Sequence, residues 1–131
     1  MKSIKFENMK LPEYLKPGDK VGIVCTARSF SEEEAQPAIE LLTSWGLQAV
    51  LGATIGLNTH QLGGADVERA NDLQTMLDSP EIKAIWVARG GYGTVRIIDK
   101  IKISTNLVIF FCLSINLSKV LKSKVQDFNT L

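Results

Sequence analysis

Cysteine and histidine are scarce in this sequence, which contains two cysteines and one histidine. Cys25 and Cys112 each lie within an apolar run, and neither has the spacing of a metal ligand. We therefore expect two small, reduced core residues, with no metal site and no cofactor. The histidine, His60, lies in a glycine-rich loop, and its side chain could be either solvated or catalytic.

The sequence also lacks an excess of positive or negative charge. It has 15 Lys and Arg residues and 14 Asp and Glu residues, which gives a net charge of +1. The sequence thus gives no reason to expect a nucleic-acid or membrane partner. Its strongest apolar block, Leu107–Leu113, is far shorter than the roughly 20 residues of a spanning helix. The first residues lack the apolar core of a signal peptide, so we expect a cytoplasmic protein.

What the sequence does contain is an alternation of short apolar runs and amphipathic segments. The hydrophobic fraction of 45% in 131 residues suits one globular domain. Strands are predicted at Val21–Ala27, Leu47–Leu51 and Ala84–Ala88, and helices at Ser31–Gly46, Asp66–Asp78 and Thr94–Ile101. The order βαβαβα predicts an α/β fold with a parallel sheet and helices on both faces.

Local signals define the ends of the predicted helices. Ser31 and Glu34 have capping-box spacing, and Gly46 is a typical C-terminal stop. Pro37 either separates the first turn from the main helix or bends it. Asp66 is expected to cap the second helix, and with Arg69 it could form either a surface ion pair or part of the family motif described below.

Three loops should meet at the carboxyl edge of the sheet, where α/β folds bind their ligands. They are Arg28-Ser29, Gly52–Ala65 and a segment that we call the glycine turn, Arg89–Thr94. The glycine turn places a threonine hydroxyl where a strand passes into the next element, as hydrolases present a nucleophile. From its local sequence it could equally only reverse the chain, or hold a phosphate.

Three segments, in this order, resemble the LD-carboxypeptidase family of serine peptidases, to which microcin C self-immunity hydrolases are related. They are Leu15–Val24 (LKPGDKVGIV), Gly64–Gln74 (GADVERANDLQ) and Ile82–Asp99 (IKAIWVARGGYGTVRIID). The resemblance extends in register from about Leu11 to Lys102. It implies a domain at residues 1–103 that is similar to class I glutamine amidotransferases. Residues 104–131 are expected to form a divergent tail, with a possible fourth strand within Leu107–Leu113 and a basic segment after it.

The resemblance also implies a reaction. Family members remove the terminal D-alanine from murein tetrapeptides during peptidoglycan recycling, without a metal. Their nucleophilic serine falls on Thr94, and the amides of Gly90, Gly91 and Val95 are candidates for the oxyanion hole.

Two further side chains of the glycine turn, Arg89 and Tyr92, each have two possible roles. Arg89 could hold a substrate carboxylate or brace the turn with a salt bridge. Tyr92 could line the substrate cleft or pack on the loop.

Two departures from the family pattern qualify this interpretation. Thr94 stands where serine is usual, and its extra methyl group restricts χ1. The family's catalytic glutamate and histidine lie in a C-terminal domain, and Leu107–Asn116 does not match the strand with which the family continues. A truncation or a shifted reading frame after about Ile103 would explain this, and we expect little or no activity from this chain alone.

A different class of function remains open beside the peptidase. The chain could be a non-catalytic α/β module that binds a ligand or partner at the same strand ends. Apolar surface left uncovered in such a module could join two copies in a homodimer. A degenerate gene product without a function of its own is the third alternative.

Overall fold

The computed structural model describes residues 13–102 and the backbone of residues 109–112. Its elements are β1 (Lys20–Val24), α1 (Glu32–Ser44), β2 (Gln48–Leu51), α2 (Asp66–Asp78), β3 (Ile82–Val87) and β4 (Ile109–Cys112). The four strands form one sheet in the order β2-β1-β3-β4, and each neighbouring pair is parallel. The predicted α/β class with a parallel sheet is confirmed.

The fourth strand expected within Leu107–Leu113 is present as β4. It pairs with β3 in a register that runs from Ala84 opposite Ile109 to Val87 opposite Cys112. Residues 1–12 and the predicted basic segment after β4 lie outside the described residues. In the part of the chain that is described, no helix combines the length and the apolar character needed to cross a membrane.

Two apolar clusters lie on opposite faces of the sheet. On one face Leu42 of α1 belongs to the same cluster as Ile23 and Trp86. On the other, Leu73 of α2 packs in a cluster with Val24 and Ile85. Because β1 and β3 contribute alternate residues to both clusters, their runs are apolar throughout, as central parallel strands require. The helices therefore cover both faces, as predicted.

Helix α1 begins with the predicted capping box. The amide of Glu34 donates to the Ser31 hydroxyl over 3.1 Å, and the Ser31 amide donates to the Glu34 carboxylate over 2.9 Å. Pro37 lies inside one continuous helix, so the alternative of a separate first turn is wrong. Gly46 follows the helix with a φ of +77°, a conformation that glycine adopts without the steric cost of a side chain.

The start of α2 differs from the prediction. The N-cap is Ala65, and Asp66 is the first helical residue. Ala65 has no side-chain acceptor, but its amide donates to the carboxylate of Glu68 over 2.7 Å. The carboxylate of Asp66 is left free to pair with arginines, which determines its role in the site.

The helix predicted over Thr94–Ile101 is absent from the described residues. Two short 3₁₀ turns, Tyr92–Thr94 and Ile98–Lys100, replace it. The segment is rich in β-branched side chains, which lose χ1 freedom in an α-helix. Ile97 is buried, but Val95 and Ile98 are 74% and 62% exposed, so these side chains do not form the buried face of an amphipathic helix.

Candidate functional site

The glycine turn fits closely against the loop that follows β1. A Cβ on Gly93 would lie 2.9 Å from the Cα of Ala27 and 3.2 Å from a guanidinium nitrogen of Arg69. Gly91 has a φ of +151°, and a Cβ there would lie 3.2 Å from the Cβ of Ala27. The glycines are therefore needed both for backbone conformation and for close approach between two strand-end loops.

The hydroxyl of Thr94 is held by a second threonine. Its Oγ1 lies 2.8 Å from Oγ1 of Thr26, and either oxygen can donate the proton. Thr26 follows β1 and is only 2% exposed, so it is a fixed partner. Among the described residues, no histidine, carboxylate or amine forms a hydrogen bond with the Thr94 hydroxyl. The arrangement orients a hydroxyl but does not by itself activate it.

Arg69 of α2 connects the loops that surround this hydroxyl. Its side chain is completely buried, and it donates to the carbonyls of Thr26 (3.0 Å), Gly64 (2.8 Å) and Gly93 (3.1 Å). It also pairs with the carboxylate of Asp66 over 2.7 Å. The suggested ion pair with Asp66 is thus present, but its arginine is buried and not at the surface.

Asp66 has a second partner at the surface. Arg96 Nε lies 3.0 Å from each oxygen of the Asp66 carboxylate, and the Arg96 side chain is 64% exposed. Hydrogen bonding from Arg96, followed by that from Arg69, lowers the pKa of Asp66 from its ordinary value. The same pair raises the pKa of Arg96. Asp66 therefore links the buried arginine to an exposed one beyond Thr94.

A second buried charge on α2 holds a different loop. The carboxylate of Asp72 accepts from the amides of Ala53 (3.0 Å) and Thr54 (2.9 Å), and also from the Thr54 hydroxyl. The Thr54 hydroxyl in turn accepts from the amide of Cys25 over 2.9 Å. Burial raises the pKa of Cys25 to about 11, so its thiol stays protonated and unreactive. This confirms the expectation of a reduced core cysteine at this position.

An open pocket of about 570 Å³ lies at the carboxyl edge of the sheet. Its lining comprises Arg28, His60–Leu62 and Arg89–Gly93. Four of the six predicted site residues, namely Arg89, Gly90, Gly91 and Tyr92, are brought together here, whereas Thr94 and Val95 are outside the lining. Tyr92 is 96% exposed and does not pack on the loop.

Arg89 has partners on the neighbouring helix. One guanidinium nitrogen lies 2.8 Å from a carboxylate oxygen of Glu34, and the guanidinium carbon lies 5.4 Å from the centre of the Phe30 ring. Of the two roles open for Arg89, the salt bridge is the one present in this structure. A role in holding a substrate carboxylate stays a prediction.

Sequence reasoning missed several residues that shape the site. Thr26, Thr54 and Asp72 were assigned no role, and Arg28 was placed at the correct edge without one. The sequence did contain a signal for Asp72. Positions 69, 72, 73 and 76 share one face of a helix, so Asp72 lies on the same face as the apolar residues Leu73 and Met76. In the described ranges, 13–102 and 109–112, no three His, Cys, Asp or Glu residues are grouped as metal ligands.

Comparison with known proteins identifies the family. The family model of the LD-carboxypeptidase N-terminal domain matches residues 21–111. The chain belongs to the LD-carboxypeptidase family. The match extends beyond Lys102, where the resemblance in the sequence stopped, into β4.

Relatives support this assignment and differ from the chain in length. The "Probable murein peptide carboxypeptidase" of Bacillus subtilis is 37% identical over 97 residues, which cover 74% of this chain and 30% of the relative. The murein tetrapeptide carboxypeptidase of Pseudomonas aeruginosa is 28% identical over 74 residues, or 56% of this chain and 24% of the relative. The chain thus spans less than a third of the length of these relatives.

Solved structures share the fold. A microcin C7 self-immunity protein MccF superposes with a TM-score of 0.73 at 20% identity, over 90% of this chain and 38% of its own. An MccF-like protein from Bacillus anthracis gives 0.72 at 23% identity, with the same coverage. The muramoyltetrapeptide carboxypeptidase of Oxalobacter formigenes gives 0.55 at 21% identity, over 63% of this chain and 28% of its own.

Proposed function

We propose that this chain provides the nucleophile-bearing part of an LD-carboxypeptidase acting on murein tetrapeptides, with Thr94 as the nucleophile. The observation that carries the proposal is the placement of the Thr94 hydroxyl, 2.8 Å from Thr26 Oγ1, immediately after the glycine turn. The murein substrates in the names of the Bacillus and Pseudomonas relatives support the choice of substrate.

The oxyanion site is proposed at the amides of the glycine turn. Within the described residues, the amides of Gly90 and Gly91 donate no hydrogen bond, and both residues line the pocket. Donors without an intramolecular partner are available for the negative charge that develops on a carbonyl oxygen. Val95 was predicted as a third donor and lies outside the pocket lining, so its participation rests on the resemblance alone.

The reaction is an acyl transfer. The Thr94 oxygen bonds to the carbonyl carbon that precedes the terminal D-alanine, and its proton passes to a base. The C–N bond breaks, and the amine of D-alanine leaves with a proton. Water then hydrolyses the ester and restores the hydroxyl. No described residue that could act as a base is hydrogen-bonded to the Thr94 hydroxyl. We therefore propose that the base comes from the segment that the longer relatives have outside the part matched by this chain.

The test compares the chain alone with a fusion to the part of the Bacillus subtilis relative that follows its matched segment. With a murein tetrapeptide, we expect D-alanine release from the fusion and none from the chain alone. Thr94→Ala should abolish release, whereas Thr94→Ser should retain it. Thr43→Ala, at an exposed hydroxyl on α1, is the matched control. Efficient release by the chain alone, or by the Thr94→Ala fusion, would contradict the proposal.

A non-catalytic binding module is the second candidate function. It is favoured by the absence of a base at Thr94 among the described residues and by the exposure of Tyr92 and Val95. This alternative predicts that the fusion releases no D-alanine although it folds. Binding of the uncleaved tetrapeptide would then be unchanged by Thr94→Ala.

A further inference from the structure

The charged residues that line the pocket beside the glycine turn are all positive. Its nine lining residues include two arginines, Arg28 and Arg89, but no aspartate or glutamate. The chain as a whole is nearly balanced, with a net charge of +1, so this bias is local. Positive groups that converge on a pocket without a carboxylate favour an anionic ligand.

The two arginines of the pocket are not equivalent. The guanidinium of Arg89 is already engaged, with Glu34 at 2.8 Å and the Phe30 ring below it. The guanidinium of Arg28 has neither a hydrogen bond nor an ion pair with any residue that the structure describes. Its fork of donors is therefore available to bind a planar, two-oxygen anion such as a carboxylate in bidentate fashion.

Arg28 also lies next to the amides proposed for the oxyanion. Its Cγ would be 3.6 Å from a Cβ built on Gly91. In a peptide that loses its last residue, the terminal carboxylate carbon is three bonds from the scissile carbonyl carbon, which is under about 4.3 Å along the bonds. A cation that recognises this carboxylate must consequently be adjacent to the oxyanion donors, and Arg28 is.

We infer that Arg28 is the residue that recognises the C-terminal carboxylate of the peptide substrate. This inference rests on the proposed function, because that function supplies a substrate with a terminal carboxylate. It assigns to Arg28 the carboxylate contact for which the sequence had suggested Arg89. Arg89 then braces the turn through Glu34.

Equilibrium binding to the full chain tests the inference without any turnover. The probes are N-acetyl-D-alanine, its C-terminal amide and inorganic phosphate, titrated while backbone amide NMR shifts are followed. We expect N-acetyl-D-alanine to bind about tenfold or more tightly than the amide, as loss of a charge-assisted bidentate contact implies. The shifts should centre on Arg28 and Gly91.

Variants separate the contributions of the two arginines. Arg28→Gln should weaken N-acetyl-D-alanine binding about tenfold, and Arg28→Lys should be intermediate because lysine lacks the planar fork. Lys100→Gln removes the same charge from an exposed residue outside the pocket and should leave binding unchanged. Well-dispersed spectra show that each variant is folded.

Several outcomes would overturn the inference. They are no binding of N-acetyl-D-alanine, equal binding of its amide, binding of phosphate alone, and unchanged affinity in Arg28→Gln. Failure of the proposed nucleophile is a separate result, because it appears as D-alanine release by the Thr94→Ala fusion while Arg28-dependent binding persists. Conversely, D-alanine release that depends on Thr94, together with N-acetyl-D-alanine binding that does not depend on Arg28, would support the proposed function and contradict the inference.

Discussion

Helix α2 carries two buried charged side chains of opposite sign, and they hold opposite kinds of backbone group. Arg69 is 0% exposed and donates to three carbonyls, whereas Asp72 is 6% exposed and accepts from two amides. Arg69 has an ionic partner in Asp66, but the described partners of Asp72 are amides and a hydroxyl.

The difference between these two anchors is functional as well as chemical. Arg69 joins the loops after β1, β2 and β3 and thereby holds Gly93 beside Thr26, whose hydroxyl is hydrogen-bonded to that of Thr94. Asp72 holds only the beginning of the loop after β2, at Ala53 and Thr54. A charged group that is fully hydrogen-bonded by backbone can fix a loop without a second charge, but removing it leaves several buried polar groups without partners.

The largest effect is expected from removal of Arg69. Arg69→Met keeps an apolar chain of similar length but leaves three buried carbonyls and the inner side of Asp66 without a donor. We expect the free energy of unfolding to fall by about 3–5 kcal/mol, measured by denaturant titration. Arg69→Lys should recover only part of it, because one ammonium group cannot reach partners on three loops.

Arg96→Met is the matched control, because Arg96 pairs with the same carboxylate from an exposed position. Its loss should reduce the free energy of unfolding much less than loss of Arg69. Equal losses in the two variants would show that the carbonyl contacts of Arg69 contribute little. The claimed difference between a buried anchor and a surface pair would then be wrong.

The sequence predicted the strands and helix α1 better than the hydrogen bonds that hold the loops together. Apolar runs predicted all four strands, most clearly the central strands β1 and β3, and the capping box located α1. For Arg69 the sequence left a family motif and a surface ion pair open. Its burial could not be predicted, because its main partners are backbone carbonyls, which leave no pattern in the sequence. The glycine turn was recognised, but the Thr26 partner of Thr94 depends on strand register, which only the folded sheet defines.

The next largest effect is expected at the other anchor. Asp72→Asn preserves shape, but the amide nitrogen that replaces one oxygen cannot accept a hydrogen bond. We expect the free energy of unfolding to fall by about 2 kcal/mol, within the range for hydrogen bonds to a charged group. Hydrogen exchange at Ala53 and Thr54 should accelerate, whereas exchange near Gly93 should not.

Asp78→Asn, at the exposed end of the same helix, controls for the change in charge. It should alter neither exchange at Ala53 nor the free energy of unfolding appreciably. If Asp72→Asn instead loosened the glycine turn as much as the loop after β2, the two anchors would be one cooperative unit. The conclusion that Asp72 stabilises only the beginning of the loop after β2 would have to be abandoned.

The smallest effect concerns the surface end of the Arg69 anchor and depends on pH. Arg96, and after it Arg69, lowers the pKa of Asp66 below its ordinary value. Since an unfolded aspartate titrates near pH 3.9, the stability that Asp66 contributes is present above about pH 4 and is lost as the pH falls through its lower folded-state pKa. The difference in unfolding free energy between wild type and Asp66→Asn should therefore shrink as the pH is lowered from 5 towards 2. In an Arg96→Met background the shrinkage should be smaller, because the main cause of the shift is gone. A difference that stays constant across this range would mean that Asp66 contributes no pH-dependent stability, and that Arg69 is held by its carbonyl partners alone.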